Sequence, residues 1–153
     1  MGVIKSINIS TERGKIKTPV DEAEFRPGFG IVGDAHAGKW HRQISLLSQK
    51  SIDKMTAMGI DGLDAGKFAE NITTEGIELH TLPVGTVLKI GPCFCEVTQI
   101  GKTCHKECEI ARKVGTCIMP KEGIFVRVLS GGIVRPGDSV RVFSVQGVRE
   151  GMA

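Results

Sequence analysis

Thr86-Val87-Leu88-Lys89-Ile90-Gly91-Pro92-Cys93-Phe94-Cys95-Glu96-Val97-Thr98-Gln99-Ile100 is the stretch on which the fold turns. Two runs rich in β-branched and apolar residues flank the turn dipeptide Gly91-Pro92, so the segment reads as a β-hairpin. Downstream the same texture recurs. Ile124 to Leu129 reads as a strand, Ser130-Gly131-Gly132 as a turn, Pro136-Gly137-Asp138 as another turn, and Ser139 to Phe143 as a strand. Upstream, Val3 to Ser10 and Ile72 to Thr74 read as strands, whereas Glu12 to Lys17 is turn-like and Pro27 to Gly38 is a glycine-punctuated loop. Gln43 to Leu47 is a short apolar run leading into a helix predicted at about Gln49 to Met58. Ser48 is its N-cap, Leu47 and Ile52 stand at hydrophobic-staple positions, and Gly59 is its stop. Ile52, Met55 and Met58 share its core face, and a second helix is predicted near His105 to Val114. Short strands at this spacing predict a barrel or sandwich with one or two helices packed on it.

The 153 residues suit one domain, predicted over residues 1–145, with a loose tail over 146–153. Net charge is only +3, and six Phe and one Trp with no Tyr leave few stacking platforms, so no nucleic-acid partner is expected. Met1 to Ser6 fits a loose myristoylation pattern but reads better as part of the first strand. With no apolar signal core and no run of membrane-spanning length, the expectation is a cytoplasmic protein without a membrane partner.

Five cysteines carry most of the chemistry. A structural zinc would take four ligands from Cys93, Cys95, Cys104, His105, Cys108 and Cys117. A reactive thiol is the second reading: Lys102, His105 and Lys106 bracket Cys104, and positive charge favours its thiolate. Core packing is the third, for Cys93 or Cys95, whichever points inward. Gly33-Asp34-Ala35-His36, followed by His41, forms a second cluster. In extended chain Asp34 and His36 project to the same side, where either can hold a metal or an anion; alternatively Asp34 caps the turn through its own backbone. Gly28 to Gly33 spells a dinucleotide fingerprint, but an acidic, proline-terminated segment precedes it and Gly38 interrupts any following helix. The basic residues, Arg13, Lys15, Lys17, Arg26, Lys39 and Arg42 among them, read as solvated surface, apart from a subset that converges near Cys104 on an anionic ligand.

In order along the chain, Gly33 to His36, Phe68 to Ile77 and Leu82 to Thr86 resemble the signatures of the MOSC domain family. The family is named for the C-terminal domain of molybdenum cofactor sulfurases. The resemblance continues through Gly91, the Cys104 segment, Gly123 to Val128 and Gly131 to Asp138. It implies a mainly β, barrel-like fold of mixed topology with one or two short helices. It also implies handling of the molybdenum cofactor (molybdopterin), a pterin dithiolene with a phosphate and a Mo atom. By position Cys104 corresponds to the suspected Mo ligand or persulfide carrier, with Cys108 and Cys117 as auxiliary thiols. Asp34, His36 and Asn71 would position the bound group, and Lys102 or Arg112 would meet its phosphate. The resemblance covers no desulfurase domain, so no pyridoxal phosphate site is expected. Implied partners are molybdenum cofactor biosynthesis proteins or a cysteine desulfurase as sulfur donor. Three functions follow: a cofactor-binding or sulfur-carrier protein in maturation, a Mo-dependent reductase of N-hydroxylated compounds with an electron-donor partner, or a non-catalytic module built on zinc.

Overall fold

The structure, a computed structural model, describes residues 2–12, 16–57, 70–101 and 122–144. In chain order the elements are β1 (Gly2–Ile9), β2 (Thr18–Val20), β3 (Ala23–Arg26), β4 (Gly30–Ile31), β5 (Ile44–Ser48), α1 (Gln49–Ala57), β6 (Ile72–Glu75), β7 (Val87–Ile90), β8 (Cys93–Ile100), β9 (Ile124–Ser130), β10 (Gly132–Val134) and β11 (Ser139–Ser144).

Pairing closes a barrel. The strands run in the order β11-β7-β8-β9-β5-β6-β1, and β1 pairs back with β11 through Gly2↔Val140 and Val3↔Ser139. Closure removes the free edges that an open sheet would expose. β5 and β6 are parallel, while the other barrel pairs are antiparallel, so the topology is mixed. The hairpin expected around Gly91-Pro92 is present: Ile90 faces Cys93, Val87 faces Glu96, and Gly91 takes the left-handed φ of 55°.

Alternation decides what fills the barrel. On β8, Cys93, Cys95 and Val97 point inward and are fully buried, while Phe94 and Glu96 point outward. The inward residues join Ile4, Ile7, Leu46, Ile72, Leu88, Val126 and Val140 in one core. Both cysteines of β8 are therefore packing residues, not one of them. Burial pushes the Cys93 thiol up to about 11 and moves Cys95 in the same direction, so neither is poised as a thiolate.

Two expectations change. Pro27 to Gly38 is not all loop, and Gly132 belongs to a strand. Antiparallel β3, β4 and β10 form a second small sheet whose Phe25, Ile31 and Val134 enter the same core. Strands of two to four residues are too short to show a period. Gly30 has a structural reason to be glycine: its φ is 119°, and a Cβ there would lie 3.0 Å from the Gln43 carbonyl oxygen.

The helix starts as expected. Ser51 N donates to Ser48 Oγ at 3.2 Å, and Leu47 and Ile52 are buried on either side of the cap. The Met55 and Met58 side chains and the expected second helix lie outside the described residues. No helix among the described residues is long and apolar enough to cross a membrane.

Candidate functional site

Residues 32–43 connect β4 to β5. Backbone bonds from Val32 N to Glu24 O (3.0 Å), Ala35 N to Ser10 O (2.8 Å) and Gly38 N to Phe29 O (2.7 Å) staple this loop down. Gln43 Oε1 completes the set by accepting from Val128 N at 2.9 Å.

Asp34 is the hub. Its Oδ2 accepts from His36 N at 3.0 Å, and Ala37 N donates to its carbonyl at 3.2 Å, so the segment is a tight turn and not the extended chain that would have put Asp34 and His36 side by side. The turn capping considered from sequence is present, but it is half of the arrangement. Asp34 Oδ1 also accepts from Ser10 N at 3.1 Å and from Lys17 Nζ at 2.7 Å. Lys17, expected on the solvated surface, is 1% exposed. Burial alone would raise the Asp34 carboxyl, but the hydrogen bonds of His36 and Lys17 and the lysine charge outweigh it and hold the group well below the usual carboxylate range.

Lys17 Nζ also lies 3.2 Å from His36 Nδ1 and 3.2 Å from Ser10 Oγ. Asp34 Oδ2 is further from that ring nitrogen, at 3.7 Å. An ammonium has donors only, so when Lys17 donates to Nδ1 the proton of the neutral ring sits on Nε2. The carboxylate thus orients the lysine, and the lysine fixes the imidazole.

Beyond His36 the loop is lined with rings. Trp40 Nε1 donates to His36 O at 2.7 Å, and the two rings are parallel at 6.3 Å. The Arg42 guanidinium lies over Trp40 at 4.7 Å and over Phe125 of β9 at 5.7 Å. His41 Nε2 donates to Gln99 Oε1 at 2.8 Å, and Gln99 Nε2 donates to Gly101 O at 2.7 Å. Those two bonds tie the loop to the point where the chain leaves β8. Beside them a cleft of about 560 Å³ is lined by Lys39, Trp40, His41, Thr98 and the Glu96–Arg127 ion pair, among others.

Asn71 is fully buried. Its Oδ1 accepts from Ser45 N at 3.0 Å and from Ser45 Oγ at 3.3 Å, and its Nδ2 donates to Asn8 O at 3.1 Å. Asn71 and Asp34 therefore anchor to Asn8 and Ser10, two positions apart at the end of β1. Lys102, Cys104, Cys108, Arg112 and Cys117 lie outside the described residues. Among the described residues no three His, Cys, Asp or Glu side chains gather as a metal site. Sequence reasoning gave no role to Trp40, Arg42 or Gln99; being the chain's one tryptophan was the signal available for Trp40.

A closed mixed barrel carrying a stapled polar loop defines a class of small β domain, and comparison with known proteins gives the family. The MOSC domain matches residues 33–141, most of the chain, and the chain belongs to that family. Among solved structures, the YuaD protein from Bacillus subtilis superposes with a TM-score of 0.77 at 20% identity, over 95% of this chain and 98% of that one. YiiM from Geobacillus stearothermophilus gives 0.68 at 22% identity, over 94% and 76%. YiiM from Escherichia coli gives 0.65 at 16% identity, over 93% and 70%. At these identities the likeness is one of fold. A comparison with curated proteins finds no match.

Proposed function

We propose that this protein binds the molybdenum cofactor against the 33–43 loop, with Cys104 as Mo ligand or persulfide carrier, in cofactor maturation. Membership of the MOSC family makes the cofactor the first ligand to test. The observation that carries the reading for this chain is the His41–Gln99–Gly101 link, which joins the Asp34–His36 loop to a point three residues before Cys104. Cys104 follows Gly101 by three positions in the sequence, and that proximity along the chain is the support the link gives to this reading.

The residues fit such a group. A cleft of about 560 Å³ is within the range for small-molecule sites, and Lys39 in its lining is a cation that suits a phosphate. When bound, the cofactor supplies a Mo centre that takes a soft thiolate ligand or accepts sulfur. The protein's own part is to hold it: His36 offers Nε2–H as a donor, Asp34 and Lys17 keep that ring in place, and Lys102 or Arg112 adds positive charge near the phosphate. As a carrier, the Cys104 thiolate attacks the outer sulfur of a persulfide on a cysteine desulfurase. A sulfur–sulfur bond forms on Cys104, the donor's breaks, and the donor leaves as a thiolate with no net oxidation. Cys108 and Cys117 are then the auxiliary thiols available to resolve the persulfide.

Anaerobic purification from the native host, with Mo, W and Zn measured per chain, tests the binding reading. Near-stoichiometric Mo or W that disappears in Cys104→Ser, with the circular dichroism spectrum unchanged, is the expected result. Zinc at one per chain without Mo or W would replace it with a structural-zinc module. Incubation with a desulfurase and cysteine tests the carrier reading: mass spectrometry should find one added sulfur on the wild type and none on Cys104→Ser.

A further inference from the structure

β5 and β6 run parallel, with Leu46 beside Ile72 in the core and Ser48 beside Thr74 two residues further on, on the same faces of their strands. These two hydroxyl side chains therefore follow the core at one end of the barrel, and both line a cavity of about 270 Å³. Ser48 is satisfied there. Its Oγ accepts from Ser51 N at 3.2 Å and lies 3.0 Å from Ser51 Oγ, which donates to Glu122 Oε1 at 2.6 Å. Glu122 Oε2 in turn accepts from Lys54 Nζ at 2.7 Å. Thr74 is different: it is 0% exposed, and its Oγ1 has no hydrogen-bond partner. A buried hydroxyl left in this state costs stability, and one that lines a cavity is complemented by a polar atom of a ligand.

Charge selects the class of ligand. Lys54 and Glu122 neutralise each other in the cavity wall. Lys50 and Glu78 line the same cavity, and neither has a hydrogen bond or an ion pair among the described residues. His80 is the other titratable group of the lining among the described residues. An anion would face two carboxylates here, and a cation two ammonium groups. The first turn of α1, which would otherwise draw an anion, already holds the Glu122 carboxylate through Ser51. A molecule that carries one charge of each sign meets both free groups. We infer that this cavity binds a small zwitterion of the α-amino acid class, its carboxylate on Lys50 and the Thr74 hydroxyl and its ammonium on Glu78. Ile77 supplies an apolar wall for the side chain. The volume lies just below the range of roughly 300–1,000 Å³ that suits drug-sized ligands, so an occupant of amino-acid size fits. The cavity shares no lining residue with the Trp40 cleft, so the two sites stand or fall separately.

Calorimetric titration of the full-length protein with L-alanine, L-serine and L-cysteine under reducing conditions tests the site, with acetate and ethylammonium as the two half-ligands at the same ionic strength. Saturable binding of at least one amino acid, about tenfold or more tighter than either half-ligand, is expected. Thr74→Val keeps the shape of the side chain and removes the hydroxyl, and it should weaken that binding about tenfold. Because the hydroxyl bonds to nothing in the protein, the same variant should keep or raise the urea midpoint, which a hydroxyl with a structural role would lower. Lys50→Gln and Glu78→Gln should each weaken binding several-fold. No saturable binding of any of the three amino acids would overturn the site. Acetate or ethylammonium binding as tightly as an amino acid would overturn the zwitterion. Wild-type affinity in Thr74→Val would overturn the site as drawn. If Thr74→Val lowers the urea midpoint, Lys50→Gln and Glu78→Gln decide in its place, and wild-type affinity in both overturns the proposal.

Discussion

Lys17 Nζ lies 2.7 Å from Asp34 Oδ1, and both side chains are fully buried. The pair joins the segment after β1 to the loop that carries His36, and Ser10 supplies two of its remaining bonds. Ion pairs of this kind are tolerated because every charge is matched, so the pair reports on the whole site.

Removing one partner should be costly. Lys17→Met leaves the Asp34 carboxylate buried without its counter-charge, and we expect a loss of about 3–5 kcal/mol in urea unfolding. Lys17→Met combined with Asp34→Asn should recover part of that loss. A single variant as stable as the wild type would show that the pair is open to water.

Acid should find the same pair. The Asp34 carboxyl is held below its unfolded-state value of about 3.9, so the unfolded chain takes up that proton first as pH falls. The contribution of Asp34 is therefore complete above about pH 5 and is lost as pH falls through 4 towards the folded value. Asp34→Asn should flatten this limb of the stability–pH curve. Identical limbs in the two proteins would remove Asp34 as its source.

The tautomer of His36 is directly observable. With Lys17 Nζ donating to Nδ1 at 3.2 Å, long-range nitrogen–proton spectra of the neutral ring should show the proton on Nε2. Lys17→Met should release that preference. A proton found on Nδ1 in the wild type would reverse the direction of the Lys17–His36 bond.

Asn71 tests the scaffold beneath the site. Asn71→Ala would leave Ser45 N–H and the Asn8 carbonyl unpaired in the interior. We expect a loss of about 2–4 kcal/mol, read as a lower urea midpoint at unchanged slope. A loss below 1 kcal/mol would mean that water replaces the amide.

How much of this was legible depended on length and locality. The β7–β8 hairpin, the Ser48 cap and the outer strands were readable because each rests on neighbours in sequence. The β3–β4–β10 sheet was not, since its members have two to four residues and β10, the other partner of β3, lies far along the chain. Lys17 looked like any lysine in a charged stretch, because the group that buries it stands seventeen positions away. Asp34 and His36 do lie together, but through a turn and not through the extended strand considered from sequence. Nothing in the sequence separates Thr74 from Thr73: what distinguishes it is a hydrogen-bond partner that is missing. Cys93 and Cys95 were read as an either-or for packing, and the face of β8 buries both.

Gly101 N donates to Gly123 O at 2.6 Å, clasping the two ends of the segment that contains Cys104, Cys108 and Cys117. The entropy of closing that loop depends only weakly on its length, with each doubling costing about 0.6 kcal/mol. Because the clasp is made by two backbone groups, a side-chain substitution anywhere between Gly101 and Gly123 leaves its donor and its acceptor in place.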